Sequence, residues 1–295
     1  MMRRARAAIA AGIAGSVALA GAGSAAAVGT ADRAAATRAA GWLATEPPSS
    51  MPAGQQADVM VAMRITGRRA ASLRPRLRAL SQSAPAYATG AGEAAKVVLG
   101  ALAAGANPSR LGGVNYVARI RRDSPSPGRY GATAFDQALS MLALRASTGR
   151  VPTAATRTLL GLRSGPGWNL GLSTTEGPDI DSTALAVVAL RAAGQRCTSA
   201  PIRTARRWIA GQRTRGGWSA YPGTGPSANS TALVARADLA CGASAAAPLR
   251  VIRRLQQRSG AIRYTAAEPE SRLLATTESV PALAGVSLAR GLRPD

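Results

Sequence analysis

The sequence predicts an all-α protein of six helical hairpins closed into a double ring, an α/α toroid, preceded by a signal peptide. Three features point there. An Ala- and Leu-rich segment ending in glycine recurs six times along the 295 residues. Segments of a different kind, apolar on one helical face only, lie between the copies. The first 27 residues have the build of an export signal. The expected organisation is a signal peptide over 1–27 and a single toroid domain over 28–295, in six repeats of about 45 residues.

Arg3, Arg4 and Arg6 form a basic start, and the uncharged stretch from Ala7 to Ala20 follows. Small residues then run to Ala27, with Ala25 and Ala27 in the A-x-A arrangement that signal peptidase accepts. The rival reading is an uncleaved membrane anchor, which needs ~20 apolar residues, more than this stretch supplies. Cleavage near Ala27 is the better expectation, and it makes the mature protein secreted and not membrane-spanning. No cysteine stands near the cleavage point to carry a lipid.

The six repeated segments end at Gly67, Gly105, Gly149, Gly194, Gly242 and Gly291. The spacings between these glycines are 38, 44, 45, 48 and 49 residues, a drift that points to loops of variable length between units of constant design. In each segment a polar residue opens, an apolar run follows, and glycine closes where a helix C-terminus favours positive φ. DIDSTALAVVALRAAG, ending at Gly194, is apolar on nearly all sides, as a helix buried all round must be. The intervening segments are amphipathic. Ile202, Ala205, Trp208 and Ile209 share one helical face, with Arg203, Arg206 and Arg207 on the other. Six buried helices alternate with six surface helices, and closing the buried set into a ring leaves no apolar end exposed.

The basic excess, +23 formally, does not read as a nucleic-acid interface. Of the 37 basic residues only Lys96 is lysine, the arginines are scattered, and no basic helix is interleaved with exposed aromatics. A solvated basic surface is the plain reading; contact with anionic cell-envelope polymers is the alternative. No nucleic-acid partner is expected. The chain has no histidine, which removes Ser-His and Cys-His nucleophile systems and every His-containing zinc site. With only Cys197 and Cys241 present, an all-Cys metal site is excluded too, and no cofactor is expected. Both cysteines fall at the ends of adjacent buried helices, so an exported chain is expected to join them in a disulfide. Two unpaired core cysteines are the other reading.

Counting back thirteen and twelve residues from each closing glycine gives Gly54-Gln55, Gly92-Glu93, Asp136-Gln137, Asp181-Ser182, Asn229-Ser230 and Glu278-Ser279. Asp58 and Asp179 lie close by. Six of the 14 acidic residues (Asp58, Glu93, Asp136, Asp179, Asp181, Glu278) thus gather at one mouth of a basic ring. Each position taken singly can be helix capping, since short polar residues cap well and acids favour the positive end of the helix dipole. Capping does not explain why long Gln55, Glu93, Gln137 and Glu278, poor N-caps, share that register. A polar-lined pocket does, with Glu93, Asp136, Gln137, Asp181, Asn229 and Glu278 as candidate ligand contacts. Trp168 and Trp218 join them as aromatics in Gly-x-large loops before buried helices, where loop packing is the competing reading.

Those loops, Gln212 before Gly216-Gly217-Trp218 and Gln257 before Gly260-Ala261-Ile262, resemble the QW repeats of squalene–hopene cyclases. The six-unit pattern is similar to the terpene cyclase and protein prenyltransferase superfamily. The stretch from Ala275 to Gly285 also resembles the last inner helix of the cobalamin carriers intrinsic factor and transcobalamin. The resemblance covers essentially all of 28–295 and implies the toroid fold with a ligand site in its central cavity. Pro178-Asp179-Ile180-Asp181-Ser182 is similar to the cyclases' D-x-D-D acid motif, which would make Asp181 the proton donor beside Asp179. Ser182 stands where the last aspartate belongs, and the chain has few aromatics to wall a cation. The resemblance implies a non-catalytic carrier or scaffold for a small molecule, with a lid or transporter protein as partner because the carriers' β-rich second domain is missing. The alternative is an enzyme, either a degenerate class II cyclase or a hydrolase pairing Asp136 with Asp181.

Overall fold

The computed structural model describes residues 28–221, 223–268 and 272–292. The expected signal peptide, 1–27, lies outside the described residues. Among the described residues twelve α-helices account for the fold, and there is no strand, only isolated β-bridges in loops. They are α1 (Thr30–Thr45), α2 (Ala53–Ile65), α3 (Arg74–Tyr87), α4 (Ala91–Ala103), α5 (Tyr116–Arg122) and α6 (Ala134–Thr148). The rest are α7 (Thr153–Gly161), α8 (Ile180–Ala192), α9 (Ala200–Gly211), α10 (Ala228–Ala240), α11 (Ala246–Leu255) and α12 (Arg272–Ala284). None of the described helices is long and apolar enough to cross a membrane.

The even-numbered helices are the buried ones. In α8, Ile180 and the run from Ser182 to Leu190 are inaccessible. α9 and α11 instead bury one stripe each, Ile202, Ala205 and Ile209 in the first and Leu249, Ile252 and Leu255 in the second. α2 packs on α4, α4 on α6, α6 on α8, α8 on α10 and α10 on α12, and α12 packs back on α2. Small side chains permit this close approach. A Cβ added to Gly100 of α4 would stand 2.8 Å from Ala57 Cα of α2.

The succession returns on itself at a seam between the two ends of the chain. α1 packs on α12, α2 and α11. Arg38 Nη2 donates to Gln256 Oε1 (2.7 Å), Gln256 Nε2 donates to Ala35 O (2.9 Å), and Arg253 forms an ion pair with buried Asp32. Val28, Ala35, Ala39 and Leu43 share a core cluster with Ile252, Ala275, Val280 and Leu283.

Five of the six closing glycines stand where the sequence places them, at positive φ just past the ends of α2, α4, α6, α8 and α10. The sixth does not. α12 ends at Ala284, and Gly285 (φ 79°) takes the closing position instead of Gly291. Pro281 inside α12 removes one helical N–H, and the chain leaves the helix one turn later. Residues 286–289 then turn inward and are buried, with Leu288 in the left-handed region at φ 74°. Cys197 and Cys241 form a disulfide between the chain following α8 and the end of α10.

Candidate functional site

One repeated hydrogen bond sets the register of the buried helices. The large residue of each glycine loop, one or two positions after a glycine, donates its main-chain N–H to a side chain in the first turns of the next helix. Tyr130 donates to Gln137 Oε1 (2.7 Å), Trp168 to Thr183 Oγ1 (3.0 Å), Trp218 to Thr231 Oγ1 (3.2 Å) and Ile262 to Thr276 Oγ1 (2.8 Å). Two residues before each acceptor stand Phe135, Asp181, Asn229 and Leu274; two residues after stand Leu139, Leu185, Leu233 and Glu278. All eight line one cavity. α2 and α4 add Asp58 and Lys96, so every buried helix contributes to the same layer.

The cavity measures about 310 Å³, the lower end of the range for small-molecule sites. Leu288, brought in by the turn after α12, lines it at the end where the helices finish. Its lining mixes apolar and charged side chains. α6 contributes only the apolar Phe135 and Leu139, while on α4, α8, α10 and α12 the apolar Leu99, Leu185, Leu233 and Leu274 stand among polar and charged groups. Lys96 donates to Asp58 Oδ2 (2.7 Å) and Arg236 Nη1 to Glu278 Oε2 (3.2 Å). In order α4, α2, α12, α10 the signs run plus, minus, minus, plus. Lys96 loses hydration by burial, yet the Asp58 carboxylate beside it holds the ammonium above its ordinary pKa. Burial pushes the Asp58 carboxyl up, Lys96 pulls it down, and Glu278 pushes it up again.

Asp181 is a second perturbed acid of the cavity. Burial raises its pKa from 3.8 to about 6; the Ser230 hydroxyl lowers it, and the charges of Asp179 and Glu278 raise it. Asp181 Oδ1 and Asn229 Oδ1 are buried without hydrogen-bond partners. On α12, Pro281 has no N–H for the carbonyl of Thr277, another lining residue.

Three of the candidate residues therefore meet in the cavity: Asp181, Asn229 and Glu278. The others do not line it. Asp179 is the N-cap of α8, its Oδ1 accepting from Ser182 N (2.7 Å), so the capping role falls to Asp179 while Asp181 faces the cavity. Glu93 and Asp136 line a separate open cleft that also holds Asp123. Asp136 makes a capping box there, its Oδ2 accepting from Thr133 N (3.0 Å) while Thr133 Oγ1 accepts from Asp136 N (3.1 Å). That separates it from Asp181 and leaves the two-carboxylate hydrolytic pairing without a shared site. Gln137 is buried and serves the loop: besides accepting from Tyr130, its Nε2 donates to Gly128 O (2.9 Å). The tryptophans are buried plugs, Trp168 Nε1 donating to Leu159 O (2.7 Å) and Trp218 Nε1 to Ile209 O (2.8 Å).

Lys96, Phe135 and Arg236 are lining residues that the glycine count does not reach. A signal for two of them exists in the sequence. Lys96 is the single lysine of the chain and stands in a helix whose remaining residues after Glu93 are apolar; Arg236 interrupts the apolar run of α10. No protein-family model and no curated protein matches this chain.

Proposed function

We propose that this is a secreted α/α toroid of the terpene cyclase and prenyltransferase type that binds a small molecule in its central cavity without transforming it, as the cobalamin carriers do. The observation that carries the reading is the cavity itself, to which all six buried helices contribute and which combines apolar with charged lining. The cyclic succession of helix contacts supports the toroid, and the disulfide supports export to an oxidising compartment. Ion pairs inside a cavity cost desolvation and add little stability compared with apolar packing, so their presence favours recognition over mere structure. Native mass spectrometry of the protein secreted by its own host tests the reading. A retained small molecule supports it; an empty protein that also fails to take up any probe in solution refutes it.

A second reading rests on Asp181, whose raised pKa makes it a competent proton donor near neutral pH. In that reading it is the acid of a degenerate cyclase. Against it stand Asp179, committed to its cap, and a cavity whose aromatic lining is Phe135 alone. Asp181→Asn with a product analysis separates the two: loss of a cyclised product from an otherwise intact protein would favour the enzyme.

A further inference from the structure

We propose that the cavity takes an amphipathic primary ammonium ion, its head against Asp181, Asn229 and Glu278 and its body against Phe135, Leu139 and Leu185. The inference rests on reading the cavity as a ligand site, and it names the class of ligand.

Charge balance comes first. Three carboxylates line the cavity, Asp58, Asp181 and Glu278, against two cations, Lys96 and Arg236. The two cations are each engaged by one carboxylate, Lys96 by Asp58 and Arg236 by Glu278. Among the described residues Asp181 has no cation in an ion pair with it. A strongly basic protein thus encloses a site with one uncompensated negative charge. Such a charge in a confined space attracts a cation and disfavours an anion by an interaction stronger than in bulk water.

Hydrogen bonding narrows the choice. Asp181 Oδ1 and Asn229 Oδ1 are acceptors without donors, and the Thr277 carbonyl lacks its usual helical donor because Pro281 has none to give. These unfilled acceptors call for a ligand that brings donors to them. Among the described residues, no three His, Cys, Asp or Glu side chains are grouped so as to hold a metal ion. A polyatomic cation remains, and a primary ammonium carries three N–H donors on a compact head. Asp181 and Glu278, on α8 and α12, flank Asn229 on the intervening α10, so one head can face all three.

The apolar lining fixes the rest. Phe135 and Leu139 of α6, Leu185 of α8 and Leu99 of α4, on three successive buried helices, make an apolar wall in the same cavity as the charged groups. A small hydrophilic ion would leave that wall wet; a chain attached to the head covers it. The elevated pKa of Asp181 fits the same picture, since a bound cation is what would relieve it.

Isothermal titration of the folded protein at neutral pH with n-octylammonium, n-octanol and n-octanoate tests this. The three probes share a chain and differ in charge. n-Octylammonium is expected to bind at least about tenfold more tightly than either of the others. Asp181→Asn and Asn229→Leu are expected to erase that preference while circular dichroism stays unchanged. Neither substitution touches an ion pair, so a folding failure in Glu278→Gln would not obscure the result. Phe135→Ala should weaken the ammonium and the alcohol alike. Equal binding of all three, or tighter binding of the octanoate, overturns the ammonium and leaves the cavity as a ligand site. Binding of none overturns it as well, and the carrier reading is then decided separately by native mass spectrometry.

Discussion

Asp181→Asn is expected to stabilise the protein at neutral pH, although it alters the most chemically distinctive residue of the cavity. The folded-state pKa of about 6 stands above the ordinary 3.8, so the folded protein holds this proton more tightly than the unfolded chain. Below the unfolded value both states are protonated and the carboxyl costs nothing. Between the two values stability falls as pH rises, and above about 6 the full penalty is present. Each tenfold separation is worth about 1.4 kcal/mol, which puts the penalty at ~3 kcal/mol. Burying an amide in place of the acid gives some of this back, so a gain of about 1–3 kcal/mol is the expected range. Urea unfolding of wild type and variant at pH 4 and pH 7.5 measures it. The two proteins should differ little at the lower pH, and the variant should lead at the higher one. An equal difference at both pH values would show that the carboxyl does not titrate where burial places it. A variant weaker at pH 7.5 would show that Asp181 is held by contacts worth more than its desolvation costs. A residue that destabilises the fold where nothing in the fold requires it is characteristic of a site selected for binding.

Three further outcomes follow from the packing. Reducing the Cys197–Cys241 disulfide, which closes 44 residues, should cost up to ~4 kcal/mol by loop-closure entropy, read as a fall in the denaturation midpoint on adding dithiothreitol. No change would mean that the unfolded chain is already as constrained. Asp179→Ala should lose about 0.5–2 kcal/mol with its cap to Ser182 N, and Asp179→Asn much less, by thermal melts of the two variants. An equal loss in both would assign the cost to charge instead. Gly167→Ala should lose about 1–3 kcal/mol, because the new methyl meets Thr183, whose hydroxyl joins α8 to the Trp168 loop. An unperturbed Trp168 fluorescence spectrum in that variant would contradict it.

The helices were legible because their signals are local. Apolar runs closed by glycine marked α2, α4, α6, α8 and α10, and one-sided arginine faces marked α9 and α11. The site was legible only where counting from the glycine kept the right face. For α8 and α10 the count reached Asp181 and Asn229, both in the cavity. The start of α6 lies 15 residues before its glycine where those of α8 and α10 lie 14 before theirs, so the same count fell one residue late, on Asp136 instead of Phe135. One residue is about 100° around a helix, enough to turn a lining position into a cap. On α12 the count began from the wrong glycine and reached Glu278, four residues beyond the mouth position Leu274. Four residues return to the same face one turn deeper, so a misplaced helix end still gave a lining residue. The charge pairs were not legible, since Lys96 and Asp58, or Arg236 and Glu278, meet only through contacts between helices.

The seam between α1 and α11–α12 has a consequence for how this protein is made. Its bonds join residues 218 to 221 positions apart, so the last contacts to become possible are among those that complete the core. In an open stack of repeats each unit needs only its neighbour, and stability grows unit by unit. Here α1 can rest on α2 early but lacks its main partner until α12 has emerged, and loop closure over most of the chain must precede any reward from that contact. A chain truncated within the last repeat would keep most of its helices and still lack the main surface on which its first helix rests. Completion of the chain, not the accumulation of repeats, is therefore the step that commits it to the native state.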